Sequence, residues 1–170
     1  MAPILTAIAG VIDRFNAGIG RAAMWLGLAV VLLQFALVVL RYLFGIGSIR
    51  LAESIIYAHA AMFMLAAAWT LQEGGHVRVD VFYAEASGRT RALIDLLGAL
   101  LLLLPFMVVI AWFAVPYVQR SWAILEGSRE VSGLPFVYLL KSLSPAFALL
   151  MGLQGLAQAI RAGLTLTSSR

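Results

Sequence analysis

The residues of this chain that could do chemistry are few, and most stand at the ends of apolar runs. Twelve basic residues, eight acidic residues and two histidines are spread over 170 positions, and cysteine is absent. Without thiols there is no disulfide framework, no thiolate metal site and no redox dithiol. His59 is the one titratable side chain well inside an apolar run. A haem anchor would want an axial histidine there, often with a second from a facing helix. His76 lies beyond the end of the same run, so it cannot oppose His59, and His59 is expected to be a hydrogen-bonded packing residue. No His-Glu-x-x-His pair, nucleophile elbow or glycine-rich phosphate loop occurs. The sequence therefore points to no catalytic centre and no resident cofactor.

The remaining polar residues suggest structural roles. Arg41 closes the first apolar run, on the face that carries Gln34 seven residues earlier, and Glu53 opens the second. An Arg41–Glu53 pair across that hairpin, or a local Arg50–Glu53 pair at i, i+3, would fix the turn and its depth. Tyr42 belongs to the same hairpin group. After the second run comes Gly74-Gly75-His76-Val77-Arg78-Val79-Asp80. Either glycine can end a helix in the left-handed conformation. The alternation that follows would lay valines on a membrane surface, with His76, Arg78 and Asp80 ordering the loop above.

The elements that must position these groups are apolar helices. Hydrophobic residues make up 63% of the chain and charged residues only 12%, about half the usual charged share. A water-soluble fold of this size could not bury so much apolar surface. The charge-free runs at residues 22–40, 54–72, 96–119 and 142–160 are continuous and each long enough to cross a bilayer core of roughly 30 Å. Lipid forces helix on such runs, because an unpaired backbone has no water to bond there. The expected fold is an all-α integral membrane protein of one domain. Its four spans would cover about residues 22–44, 53–73, 92–119 and 138–161.

Before the first span, Ile4, Leu5, Ile8, Val11, Ile12, Phe15 and Ile19 recur at three- and four-residue intervals around Asp13, Arg14 and Asn16. That spacing predicts an amphipathic interfacial helix over residues 1–20 rather than a signal peptide. In the third span, Pro105 and Pro116 call for tilt, a kink, or both. On the fourth, Lys141, Pro145, Ala148, Gly152, Gly155 and Ala159 share a face, and all but the first are small or compact. Small faces let helices approach closely in lipid, and Ala23 and Gly27 offer a shorter version on the first helix. Such faces serve packing within the bundle at least as well as packing on a partner.

Net charge is +4 with a pI near 10, but the arginines are scattered beside apolar runs. That suits lipid headgroups, not nucleic acid. Four spans put both termini on one side. That side has Arg14, Arg21, Arg78, Arg89, Arg91, Arg161 and Arg170, against Arg41, Arg50, Arg120, Arg129 and Lys141 on the other. Seven against five favours cytoplasmic termini.

Taken in order, these features resemble the small membrane subunit (DctQ type) of tripartite ATP-independent periplasmic (TRAP) transporters. The matching elements are Arg41-Tyr42-Leu43-Phe44 closing the first span, Glu53 opening the second, and Gly75-His76-Val77-Arg78-Val79-Asp80 after it. The resemblance runs over residues 14–161. It departs where the family often has a tryptophan before a glutamate pair and this chain reads Ser48-Ile49-Arg50-Leu51-Ala52-Glu53. The tail from Ser128 to Ala157 is similar to a subgroup associated with carboxylates or related organic solutes. The resemblance implies a bacterial inner-membrane accessory subunit without enzymatic activity. It implies two protein partners: a periplasmic solute-binding protein, and a large polytopic membrane subunit that holds the substrate and sodium sites. The small subunit would steady that large subunit's scaffold. Two other classes fit four spans: a haem- or quinone-binding anchor of a respiratory enzyme, and a dimeric four-helix exporter, which would want a membrane-embedded carboxylate that the first span lacks.

Overall fold

The computed structural model describes residues 2–76, 83 and 85–168. Its elements in chain order are α1 (Ala2–Phe44), α2 (Ile49–Gln72), α3 (Gly88–Leu97), a π-helical segment (Gly98–Leu103), α4 (Leu104–Ala123) and α5 (Val137–Ser168). No strand occurs among the described residues. Four helical lengths are long and apolar enough to cross a membrane: Ala2–Phe44, Ile49–Gln72, Gly88–Ala123 and Val137–Thr167. The chain is therefore an all-α membrane protein of four spans.

The first helix differs from its expected division. Residues 2–20 are helical, but they run on into the first span without a break, giving one helix of 43 residues, about 64 Å long. The cause lies in what that stretch packs against. Ala9, Asn16, Gly20 and Ala23 form a buried line along α1, while Ile4, Ile8, Val11 and Phe15 point outward. The buried stripe is thus small and polar, and the large apolar residues face away from the bundle. At Gly20 the backbone of α1 lies so close to α2 that a Cβ would sit 2.5 Å from that of Trp69. Only glycine permits this approach.

The third span resolves its first proline by widening a turn. Pro105 has no N–H to give Leu101, and its ring crowds that carbonyl. Residues ahead of it form the π segment, and the Leu104 N–H reaches the Ala99 carbonyl five residues back. Such insertions are a known way to relieve an α-helix.

The fifth helix is the hub. It touches α1, α2, α3 and α4, whereas α1 pairs chiefly with α2. A small cluster of Ala68, Met107, Ala148, Leu150 and Met151 ties α2, α4 and α5 together. The arrangement is open: the accessible surface is 11085 Å², against about 8,100 Å² for a compact soluble chain of this mass. In lipid this openness carries no hydrophobic penalty, because helices there are held by packing and hydrogen bonds.

Candidate functional site

Two polar clasps, one at each end of the bundle, use most of the chemistry-bearing side chains. At the hairpin end, α1 stops at Gly45, whose φ of +69° requires glycine, and Ile46 donates to the Leu40 carbonyl at 3.0 Å. Ser48 caps α2 by accepting from the Leu51 N–H at 3.3 Å. One turn on, Glu53 faces the connection between α4 and α5. Its Oε1 accepts from the Ser128 hydroxyl, and its Oε2 accepts from the Leu134 N–H at 2.6 Å. Arg50 Nε donates to the Ser132 carbonyl at 3.2 Å. The loop closes on itself through Ser128 N–H to the Leu134 carbonyl, 2.9 Å. Gly133 must be small there, since a Cβ would meet Ser128 and lie 2.8 Å from Glu53 Oε2.

This corrects the expected hairpin lock. Neither the Arg41–Glu53 nor the Arg50–Glu53 ion pair forms; among the described residues the ion pairs are Lys141–Glu126 and Arg161–Asp13. Glu53 turns from its neighbour α1 toward a loop whose donors saturate both its oxygens. Arg41 and Tyr42 stay exposed.

Beside that loop, α4 ends in a turn with Leu125 at φ +44°. Leu125 and Glu126 donate back to the Trp122 and Ser121 carbonyls at 3.1 and 3.0 Å. The turn brings Glu126 Oε2 to the Ser121 hydroxyl at 2.7 Å and to Lys141 Nζ at 2.5 Å. Lys141 also sits 4.1 Å from the Tyr117 ring centroid. Hydrogen bonds from Lys141 and Ser121 hold the Glu126 carboxyl below its ordinary range. Trp122 Nε1 donates to the Ser142 hydroxyl at 2.8 Å and its ring packs edge-on against Tyr138.

At the end that carries the first and last described residues, the clasp joins α1 to α5. Asn16 Nδ2 donates to Gln154 Oε1 at 2.7 Å, and Gln154 Nε2 donates to Asp13 Oδ1 at 3.0 Å. Arg161 pairs with the other oxygen of Asp13. Asn16 and Gln154 are both 1% exposed, the two largest fully buried side chains described. An amphipathic reading of residues 1–20 puts Asp13 and Asn16 between the apolar positions, on the polar side of the helix. The missed signal was their i, i+3 placement on the line that continues through Gly20 and Ala23.

The small residues divide by use. Ala23, Ala148, Gly155 and Ala159 are buried, while Gly27, Pro145 and Gly152 are half-buried. A Cβ on Gly155 would lie 2.8 Å from Leu103 Cδ2, and one on Gly27 3.1 Å from Met62 Sδ, so both positions are tight. At Gly152 it would meet Met107 Cβ at an ordinary 3.8 Å. Gly20, absent from the sequence-based set, is tighter against α2 than Gly27: an added Cβ would lie 2.5 Å from Trp69 Cβ, against 3.1 Å from Met62 Sδ at Gly27.

In the segment after α2, Gly74 takes φ +71°. The Gly74 and Gly75 N–H groups bond the Leu71 and Thr70 carbonyls at 3.1 and 2.9 Å, the Schellman geometry. His76 is exposed; Arg78 and Asp80 lie outside the described residues. His59 is also exposed and has no hydrogen-bond partner among the described residues. It is therefore not the packing histidine that its sequence context suggested. Among the described residues no group of three or more histidine, aspartate or glutamate side chains is placed to hold a metal ion. The arrangement binds helix to helix and loop to helix.

A family model described as "Tripartite ATP-independent periplasmic transporters, DctQ component" matches residues 30–164. No curated protein and no solved structure matches the chain.

Proposed function

This chain belongs to the DctQ family of tripartite ATP-independent periplasmic transporters, and from that premise we propose that it steadies the scaffold of the large membrane subunit in a sodium-coupled importer of organic acids or related solutes. As a DctQ component it is a small multi-pass membrane subunit and not an enzyme. The family works with a large membrane subunit and a periplasmic binding protein.

The supporting role rests on how the polar residues are spent. Glu53, Glu126 and Lys141 hold a loop and a helix end, and Asp13, Asn16, Gln154 and Arg161 hold α1 to α5. A transporter core breaks its helices near the bilayer midplane and gathers polar groups around the gap. Here α2 and α5 run through without interruption. Sodium and solute accordingly bind the large subunit, and this chain takes no cofactor. It sits in the bacterial inner membrane with both termini cytoplasmic, which lets Arg14, Arg21, Arg89, Arg91 and Arg161 meet anionic headgroups. Membrane lipids cover most of its exposed apolar surface.

The test is affinity purification of the tagged chain from its native membranes in mild detergent, with mass spectrometry of what accompanies it. A stoichiometric, much larger polytopic protein is expected. Sodium-driven uptake in vesicles should then require both membrane subunits and the binding protein. A flavin or iron–sulfur protein as the companion would overturn the reading in favour of a respiratory anchor.

A further inference from the structure

We propose that the large membrane subunit docks on the outward side of the α1–α2 hairpin, at the depth of Gln34 and His59, and supplies hydrogen-bonding groups to those two side chains. The inference rests on the transporter-subunit reading above and adds the surface.

The argument begins with position. Gln34 lies eleven residues before Gly45, where α1 ends, and His59 lies eleven residues after Ser48, where α2 is capped. At the same rise per residue, two antiparallel helices carry such residues at similar depth, about 16 Å from the turn. In a hydrocarbon core of roughly 30 Å that is close to the midplane. Lysine or arginine can snorkel toward headgroups on a long stem; an amide or an imidazole on a short one cannot.

Both side chains are exposed, and neither has a hydrogen-bond partner among the described residues. Other polar residues on α2 are either bonded within the chain or shielded by it: the Tyr57 hydroxyl and Gln72 Oε1 lack hydrogen-bond partners but are buried among the helices. The Thr70 hydroxyl bonds the Ala66 carbonyl at 3.1 Å, and the Ser54 hydroxyl bonds the Arg50 carbonyl at 2.8 Å. A polar group facing hydrocarbon has no partner at all, and ionisable residues at such depth normally face protein or water. Acyl chains satisfy neither requirement, whereas a transmembrane helix carrying a hydroxyl, amide or carboxylate satisfies both.

The far side of the molecule shows the contrast. The outward residues of the π segment and α4 include Leu101, Leu102, Phe106, Val109 and Phe113, which suit lipid without further partners, and the exposed Trp112 adds only a single indole N–H. The hairpin side pairs its polar atoms with exposed Ile56, Phe63 and Phe35, a mixture that suits a helix interface.

Gln34→Leu and His59→Leu test this together. Leucine is better suited to lipid than either native residue, so a lipid-facing site would leave the complex unchanged. In mild-detergent purification from native membranes, the double variant is expected to lower the ratio of large subunit to tagged chain at least fivefold. The tagged chain itself should accumulate normally and unfold at an unchanged or higher temperature. A benzophenone-bearing amino acid at Phe63 should crosslink to the large subunit, and the same probe at Phe106 should not. An unchanged or raised ratio in the double variant would overturn the proposal. So would Phe63 crosslinks only to lipid or to a second copy of this chain. If the wild-type chain captures no large subunit, the functional reading falls and takes this inference with it. If it does and the double variant matches it, only the docking surface falls.

Discussion

The main-chain N–H of Leu134 lies 2.6 Å from Oε2 of Glu53, 81 positions earlier in the sequence. Through that bond α2 joins the helices on either side of the loop in setting the position of the α4–α5 connection. Removing the carboxylate strands both the Leu134 N–H and the Ser128 hydroxyl. Glu53→Ala should therefore lower the unfolding temperature in detergent by several degrees, while Arg41→Ala, at an exposed residue, leaves it within error. Equal effects of the two would restore the hairpin pairing that the structure lacks.

Close approach predicts an ordering among glycines. Gly20→Ala forces a methyl into Trp69 and should cost about 1–3 kcal/mol, the usual range for overpacking. Gly152→Ala finds ordinary contact distance from Met107 and should change stability by no more than ~0.5 kcal/mol. Equilibrium unfolding in mixed micelles compares them, and a reversed order would mean that the α1–α2 spacing is misassigned.

For the Asn16–Gln154 bond, a double-mutant cycle is the direct measurement. Each single change to leucine takes from the remaining amide its partner on the facing helix, leaving Gln154 only its bond to Asp13 or Asn16 only its long contact with the Leu150 carbonyl, whereas the double change removes both amides. The coupling energy should be about 0.6–1.7 kcal/mol, as for other hydrogen bonds between membrane helices. Additive effects would indicate that water, not the partner side chain, satisfies each amide.

The Glu126 carboxyl is held below its usual value of 4.5 by Lys141 and Ser121. A depressed folded-state value favours the native state at pH above the unfolded value. That contribution is lost as pH falls through the folded value. The unfolding temperature should therefore drop on acidification below about pH 4.5 more in the wild-type chain than in Glu126→Gln. Parallel pH profiles for the two would rule out this carboxylate as the source.

Much of this architecture is legible in the sequence, because charge-free runs of membrane length leave a helix little alternative. The Gly74 cap was also readable, since a glycine after an apolar run is a local signal. What escaped is long-range. Nothing near Glu53 announces donors at Ser128 and Leu134, and the nearer arginines are the natural expectation. Pro105 foretells a disturbed helix but not that the disturbance is a wider turn. His59 reads as an interior residue because a span that is apolar on all sides has no periodicity from which to read its buried face.

The central place of α5 bears on how the molecule is made. It leaves the ribosome after the other four helices described, and it touches each of them. Until it arrives, Asp13 and Asn16 have waited through the synthesis of the three preceding spans without Arg161 and Gln154. The earlier spans enter the membrane as a hairpin and a separate arm, and a single late insertion converts them into one body. Assembly is thereby gated on α5: a polypeptide stalled before it leaves Asp13 and Asn16 without the partners that α5 brings, the kind of defect by which membrane quality control distinguishes unfinished products.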